Sequence, residues 1–336
     1  NLGFPRIGKH RELKFALEAY WAGKSGRETL LDAAGRLRAE NWRLQKEKGI
    51  DVIPSNDFSL YDHVLDMAVM VGAVPPGFGW RDGPVDLDTY FAMARGSSGA
   101  ARADCGHAGH GHGVPALEMT KWFDTNYHYM VPEFDAGQAF ELTRNTPLDA
   151  YLEARALGIE TRPAILGPVT FLKLGKTRDG SRPLDLLDRL LPVYNRILGE
   201  LASAGVEWVR IDEPCLATDL DPFERDCLRR AYSAFAQAAP ELSVMLAGYF
   251  GPLADNFDVA AGLPVDGLHV DLVRGASDLG RLADLPDRLC LSLGVIDGRN
   301  VWRADLGRIG AMVRPFAGRP AGIEIAPSCS LLHVPV

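Results

Sequence analysis

The stretch EWVRIDEP, residues 207–214, has the pattern of a buried parallel strand that ends in polar residues. Its β-branched and aromatic residues favour an extended, buried segment, and two acids and a proline follow directly. Polar groups at the carboxyl ends of parallel strands are where α/β barrels and doubly wound sheets build their sites. The stretch therefore predicts an α/β fold with Asp212 and Glu213 at its functional face.

Seven other short apolar runs share this pattern and alternate with helical periodicity, as in ELKFALEAYW and PFERDCLRRAYSAFAQAA. They are LGFPR (2–6), DVIPS (51–55), RPAILG (162–167), SVMLAGY (243–249), GLHVD (267–271), CLSLGV (290–295) and GIEIA (322–326). Eight strands that alternate with helices predict a closed (βα)8 barrel of the TIM type. The length of 336 residues fits one such barrel.

One interval between consecutive predicted strands is much longer than a βα unit requires. About 105 residues separate the second run from the third, whereas a βα unit needs roughly 30. The excess, roughly residues 75–160, contains EMTKWFDTNYHYMVPEF (118–134), in which MTKWF and YHYMV flank the turn residues DTN. We therefore expect a β-hairpin and loop, inserted between strands two and three, to cover the barrel mouth.

Composition narrows the class of protein. Hydrophobic residues make up 47% of the chain, but no run of eighteen apolar residues and no apolar signal core occurs, so we expect a cytoplasmic protein without a membrane segment. The net charge of −8 is spread along the chain and argues against nucleic acid as a partner. The five cysteines are odd in number and never form C-x-x-C, which predicts reduced thiols.

Two basic features indicate a local anion site. Arg6, Lys9, Arg11 and Lys14 cluster around the start of the first long helix, where cations favour an anionic ligand; a solvated basic face is the alternative. Lys121 lies among the aromatic residues of EMTKWFDTNYHY. It either extends its ammonium group to water or supplies a second basic point for a ligand with a ring and an acidic tail.

Acidic and metal-binding residues leave further alternatives open. Asp212 and Glu213, with Asp57, Asp62 and His63 after the second strand, could perform acid/base chemistry or bind an amine, or could cap helices and form loop ion pairs. A separate segment places three histidines beside a cysteine within glycine-rich sequence, at Cys105, His107, His110 and His112. Because that segment lacks a rigid frame, we predict no specific metal site there.

Several long motifs then point to one family. They are LGFPRIGKHRELK, DFSLYDHVLD, EMTKWFDTNYHY, LGPVTFL, VEWVRIDEP, DGLHVDLVR, LSLGVIDGRNVWRADL and IAPSCSLLHVP. Together they span essentially the whole chain, which resembles the N-terminal half of cobalamin-independent methionine synthase. The resemblance implies a two-barrel methyltransferase that moves a methyl group from 5-methyltetrahydrofolate polyglutamate to homocysteine and uses no cobalamin.

On this resemblance, residues 1–336 are the first barrel, and the helix after strand eight and the catalytic C-terminal barrel lie outside the chain. The family's folate-contacting residues correspond to Arg11, Glu12, Leu13, Lys14 and Lys121. No catalytic residue is then expected in this chain, which should be inactive alone.

The zinc that the resemblance implies would be held in the second barrel, as would homocysteine, so no metal ligand is expected here. At the equivalent strand ends of this chain, only Asp271 and Cys329 could be remnants of ligands. Two other readings are a self-standing barrel that binds folate or docks a partner without catalysis, and a barrel enzyme that uses Asp212 and Glu213.

Overall fold

A computed structural model describes residues 1–97 and 113–334. The helices are α1 Glu12–Trp21, α2 Arg27–Glu47, α3 His63–Met70, α4 Leu87–Arg95, α5 Thr146–Ala156, α6 Pro168–Leu174, α7 Leu187–Ser203, α8 Pro222–Ala238, α9 Phe257–Gly262 and α10 Leu306–Val313. The strands are β1 Pro54–Ser55, β2 Met119–Lys121, β3 His128–Met130, β4 Glu133–Phe134, β5 Arg162–Leu166, β6 Lys176–Thr177, β7 Trp208–Asp212, β8 Ser243–Ala247, β9 Gly267–Asp271, β10 Cys290–Ile296 and β11 Ile323–Pro327.

The main sheet is parallel throughout and has the strand order β1-β5-β7-β8-β9-β10-β11 within the described residues. Its interior strands are almost fully buried, as the apolar runs predict, and helices lie between most of them. Seven of the eight predicted runs are therefore strands of one sheet in sequence order. The barrel-type α/β fold is confirmed.

A single ion pair shows that this sheet is rolled up. Nη2 of Arg162 on β5 lies 2.7 Å from Oε1 of Glu324 on β11, although four strands separate β5 from β11 in the sheet. In a flat sheet, a strand spacing of about 4.8 Å would hold these two strands roughly 24 Å apart. The sheet must therefore curl until its second and last strands approach each other.

The prediction of a first strand at residues 2–6 is wrong. The Asn1 amino group donates to Val52 O (2.8 Å) and Leu331 N donates to Gly3 O (3.0 Å), so the segment lies between the two edges of the sheet. However, Phe4 N donates to the Asp57 carboxylate (2.8 Å) instead of a strand, and Pro5 has no amide hydrogen. Residues 2–6 therefore form isolated hydrogen bonds and no strand ladder, because Phe4 and Pro5 offer no amide hydrogen to a neighbouring strand.

The long spacing between β1 and β5 contains α3, α4, the antiparallel β2–β3 pair, β4 and α5. In the hairpin, Met119 pairs with Met130 and Lys121 pairs with His128. Of the helices in the described part of the chain, none combines the length and apolarity that crossing a bilayer requires. The predicted histidine-rich segment, Cys105 to His112, lies outside the described residues.

Candidate functional site

The first turn of α1 carries the RELK residues, and a strained loop sets its start. Arg11 has φ 63° and ψ 35°, a left-handed conformation that is uncommon for a residue with a side chain. Arg11 N donates to Gly8 O (3.2 Å), Leu13 N donates to Ile7 O (3.1 Å), and the Glu12 carboxylate accepts from His10 N (3.0 Å). These hydrogen bonds hold the loop against the start of α1 and fix the backbone conformation of Arg11.

The four RELK residues divide by exposure. Arg11 and Lys14 are exposed, whereas Leu13 is 0% exposed within an apolar cluster. Lys14 lies 3.7 Å from Glu18, and both side chains are about half exposed, so that pair is weak. Among the described carboxylates, none lies within 4 Å of the Arg11 guanidinium. The first turn of α1 is therefore held in the core by Leu13, while the side chains of Arg11 and Lys14 extend into solvent.

Arg6, from the same basic cluster, has a structural role. Its guanidinium donates to the carbonyl oxygens of Ser59 (2.9 Å), Leu60 (3.2 Å) and Tyr61 (2.6 Å). These bonds hold the loop that precedes α3. Since its donors are committed to backbone oxygens, Arg6 is not one of the cations offered to a ligand.

Lys121 occupies the solvent face of the inserted hairpin. The next residue, Trp122, follows β2 and is 1% exposed, so its ring lies on the buried side of the hairpin. Lys121 itself is exposed, and no described carboxylate lies within ion-pairing distance of its Nζ. The aromatic residues around it therefore pack inward while the ammonium group is left to water.

The hairpin tip is fixed over the carboxyl ends of two strands by Asp124. Its carboxylate lies 2.7 Å from Nη1 of Arg274, which follows β9, and 2.8 Å from Nη1 of Arg299, which follows β10. Arg299 also donates to the backbone oxygen of Asp124 (3.0 Å). These contacts cross 150 and 175 residues of sequence, so no local signal predicts them.

The base of the hairpin is fixed to α3. Asp62 is the N-cap of α3, and its second carboxylate oxygen accepts from Met130 N (3.1 Å). His63 packs edge-on to Trp122 at 4.3 Å and stacks on Tyr127 at 5.3 Å. Polar and aromatic contacts thus hold the hairpin at both ends.

The helix start and the hairpin rest on the same apolar core. Leu13 of α1, Leu117 before β2 and Met130 of β3 belong to one buried cluster. In the described residues, no hydrogen bond or ion pair joins Arg11–Lys14 to the hairpin directly. The two sets of cations are therefore positioned relative to each other by shared packing.

Glu213 supports the fold at the strand ends. Its buried carboxylate accepts from Val169 N (3.1 Å) and Thr170 N (2.7 Å), the first turn of α6, where a negative charge is favourable. A Cβ on Gly167 would lie 2.2 Å from Glu213 Cδ, which explains the glycine there. Burial raises the pKa of Glu213 to about 7, but both of its oxygens are occupied by the helix.

Asp212 takes a different partner. It forms two bonds with Arg210, from Nε to Oδ1 (2.6 Å) and from Nη2 to Oδ2 (3.1 Å). Asp212 and Glu213 therefore point into different surroundings, and the paired-carboxylate arrangement that acid/base catalysis needs is not formed by these two residues.

Comparison with known proteins decides the family. Residues 1–319 match the family model described as "Cobalamin-independent synthase, N-terminal domain". The chain belongs to this family. It is 59% identical to a 5-methyltetrahydropteroyltriglutamate–homocysteine methyltransferase of Caulobacter vibrioides and 60% identical to one of Mesorhizobium japonicum, and all of the chain is covered in both comparisons. The chain spans 44% of the length of each of these relatives.

Solved structures show the same fold at much lower identity. A B12-independent methionine synthase from Shewanella, in complex with selenomethionine, aligns with a TM-score of 0.64 and 14% identity over 93% of this chain and 85% of that one. A methyltransferase from Methanosarcina mazei aligns with a TM-score of 0.56 and 15% identity over 98% of this chain and 87% of that one. At these identities the similarity establishes the fold alone.

Asp271 and Cys329, the two suggested remnants of zinc ligands, are both buried. The Asp271 carboxylate accepts from three backbone amides, Phe250 N (3.1 Å), Val273 N (2.9 Å) and Arg274 N (2.9 Å). The Cys329 side chain is fully buried, and burial raises the pKa of its thiol to about 12. Within residues 1–97 and 113–334, no three His, Cys, Asp or Glu side chains are grouped as metal ligands.

Proposed function

We propose that this chain is the folate-binding barrel of a methyltransferase that makes methionine from 5-methyltetrahydropteroyl-polyglutamate and homocysteine. The observation that carries the proposal is the presence of exposed cations on two well-anchored segments, Arg11 and Lys14 on α1 and Lys121 on the hairpin. The names of the relatives supply the substrates, and a triglutamate tail carries the negative charge that these cations would bind.

In this proposal the cations bind the tail carboxylates, and the neighbouring residues position them. Arg11 can pair bidentately with a carboxylate, whereas Lys14 and Lys121 act as point charges. Glu12 and Leu13 contribute by holding the helix start, through the bond to His10 N and through the core. Each exposed pair should contribute about 0.2 to 1 kcal/mol, so three together would favour a long tail by about threefold to 150-fold.

Methyl transfer itself is proposed to need the part of the relatives' length that this chain does not span. We place there the zinc, which supplies a thiolate by lowering the pKa of a bound thiol, together with homocysteine. An exposed apolar surface after β10 supports a covering domain: Trp302 is 82% exposed, with Val301 and Leu306 also exposed nearby. Ile325 on β11 is 50% exposed as well. We also propose a cytoplasmic location.

The test compares binding of the triglutamate and the monoglutamate of 5-methyltetrahydrofolate by calorimetry. The triglutamate should bind more tightly, and the difference should shrink between 0.05 and 0.5 M NaCl because exposed charges are screened. Lys121→Ala should reduce the preference by about two- to fivefold. Equal affinity for the two tails would refute the proposed site.

Lys48→Ala is the matched control. Lys48 is also exposed, but it follows α2 and precedes β1, at the end of the barrel opposite the mouth. Its substitution makes the same change in net charge and should leave the tail preference unchanged. A parallel assay of methyl transfer should detect no turnover by this chain until the remaining portion of the Caulobacter relative is supplied. Tail-dependent binding without transfer in that mixture would favour the self-standing folate-binding barrel.

A further inference from the structure

A cleft lies beneath the hairpin, inside the mouth of the rolled sheet. It contains about 700 Å³ of free space, including the part open to solvent. Its apolar walls include Met67, Met70, Ile165 and Leu166, and Trp122 of the hairpin also lines it. These apolar walls suit the carbon chain of a small organic molecule.

The charges around this cleft are predominantly negative. Asp57, Asp66 and Asp212 line it, and the one cationic side chain among the described lining residues is Arg210. Arg210 is already paired through two bonds with Asp212. Asp57 accepts from Phe4 N (2.8 Å) and Asp66 accepts from the Tyr90 hydroxyl (2.7 Å), but no described cation lies within 4 Å of either. Neither carboxylate therefore has a cation in direct contact, although Arg210 and the Asn1 amino group act on Asp57, and Arg6 acts on Asp66, from a longer distance.

The ionisable side chains that line the cleft leave an excess of negative charge there. Burial raises the pKa of Asp57 and of Asp66 to about 6, so both are mostly ionised at neutral pH at a cost in desolvation. The imidazoles that line the cleft cannot compensate them, because burial lowers the pKa of His63 to about 3 and that of His333 to about 4. A ligand that brought a positive charge would remove this imbalance.

The aromatic lining agrees with a cationic ligand. Trp122, His63, Tyr249 and His333 all border the cleft, and the faces of aromatic rings attract cations. A bare metal ion fits less well, because the carboxylates are not grouped as ligands of one ion anywhere in the described residues. An anion such as a folate tail would meet three carboxylates there. The surroundings thus favour an organic cation with a short apolar body.

We propose that this cleft binds a small primary ammonium compound, with its ammonium group close to Asp57 and its carbon chain against Met67, Met70 and Trp122. This site is separate from the cations of α1 and the hairpin. The proposal does not depend on folate binding, so either can fail without the other.

The first test needs no substitution. The 336-residue chain is titrated with n-butylammonium, 1-butanol and butyrate, which share a carbon chain and differ in charge, and heat and tryptophan fluorescence are recorded. Saturable binding of one n-butylammonium, at least about tenfold tighter than either analogue, is the expected result. Equal affinities for the three compounds, or no saturable binding of n-butylammonium, would overturn the proposal. Displacement of n-butylammonium by micromolar Zn²⁺ would also overturn it, in favour of a metal site.

The second test uses Asp57→Asn, which removes a charge but keeps an oxygen that can accept from Phe4 N. It should weaken n-butylammonium binding about tenfold or more. Asp32→Asn, an exposed position on α2, is the control and should bind like the parent chain. Circular dichroism identifies any variant that fails to fold. Unchanged affinity in a folded Asp57→Asn variant would refute the role of that carboxylate.

Discussion

The attachment of the hairpin to α3 can be tested at one side chain, Asp62. The Asp62 carboxylate is fully buried and has two separate tasks. Its Oδ1 accepts from Val64 N (2.8 Å) and Leu65 N (2.9 Å), which caps α3, and its Oδ2 accepts from Met130 N (3.1 Å), which anchors the hairpin. Asp62→Asn separates them, because the amide keeps one oxygen for the cap and turns an NH2 group toward Met130 N.

The size of the effect expected for Asp62→Asn follows from the burial of the Met130 amide. A buried amide that loses its acceptor costs about 1 to 3 kcal/mol. We therefore expect Asp62→Asn to lower the protection of the Met130 amide against hydrogen exchange by about 5- to 150-fold. Asp62→Ala should also remove the cap and cost roughly 1 kcal/mol more in urea unfolding.

Asp86→Asn provides the matched control. Asp86 caps α4 through a single acceptor bond from Thr89 N (2.7 Å), and an asparagine can keep that bond. This variant should leave the exchange of Met130 and the free energy of unfolding nearly unchanged. If Asp62→Asn left the protection of Met130 within twofold of the parent chain, the second task assigned to Asp62 would be wrong.

Three further predictions concern stability. Burial lowers the pKa of His269 to about 3, so its contribution to the free energy of unfolding is complete above about pH 6.5 and is lost as the pH falls toward 3, because only the unfolded chain binds the proton in that range. From pH 8 to 5, the parent chain should lose about 2 kcal/mol more than His269→Asn. The exposed control, His128→Asn, should show no such difference from the parent chain. Leu13→Ala should cost about 2 to 5 kcal/mol in urea unfolding, whereas Phe15→Ala, at a position 59% exposed, should change stability by less than about 0.5 kcal/mol. Asp124→Asn should cost about 0.5 to 1.5 kcal/mol at low salt and less at 0.5 M NaCl, since Asp124 is 54% exposed and its pairs are screened; an equal cost at both salt concentrations would contradict the ion-pair account.

Much of the fold could be predicted because its signals are local. Apolar runs bounded by helical patterns identify the seven strands of the sheet, and the turn residues between MTKWF and YHYMV indicate the hairpin. The first strand was predicted by the same rule and is absent. Phe4 N is taken by Asp57, a residue 53 positions away, and no pattern in LGFPR reveals that competition.

The candidate site was predicted less completely. The sequence identifies Arg11, Lys14 and Lys121 as cations in unusual positions, and the structure leaves them exposed. It could not show that Leu13 is buried in the apolar core, nor that both carboxylate oxygens of Glu213 accept from the first turn of α6. Both outcomes depend on which elements pack against these side chains.

The sequence by itself determined the strand and helix periodicity, the family and the residues that could carry charge, because these depend on residue type and near neighbours. The tertiary structure alone decided which charges are paired. It joined Asp124 to two arginines more than 100 residues away, paired Arg210 with Asp212, and left Asp57 and Asp66 without an ion-pair partner within 4 Å among the described residues. The physical reason is that ion pairing and desolvation depend on distance and burial in the folded chain, and folding brings together groups whose separation in sequence carries no information about either.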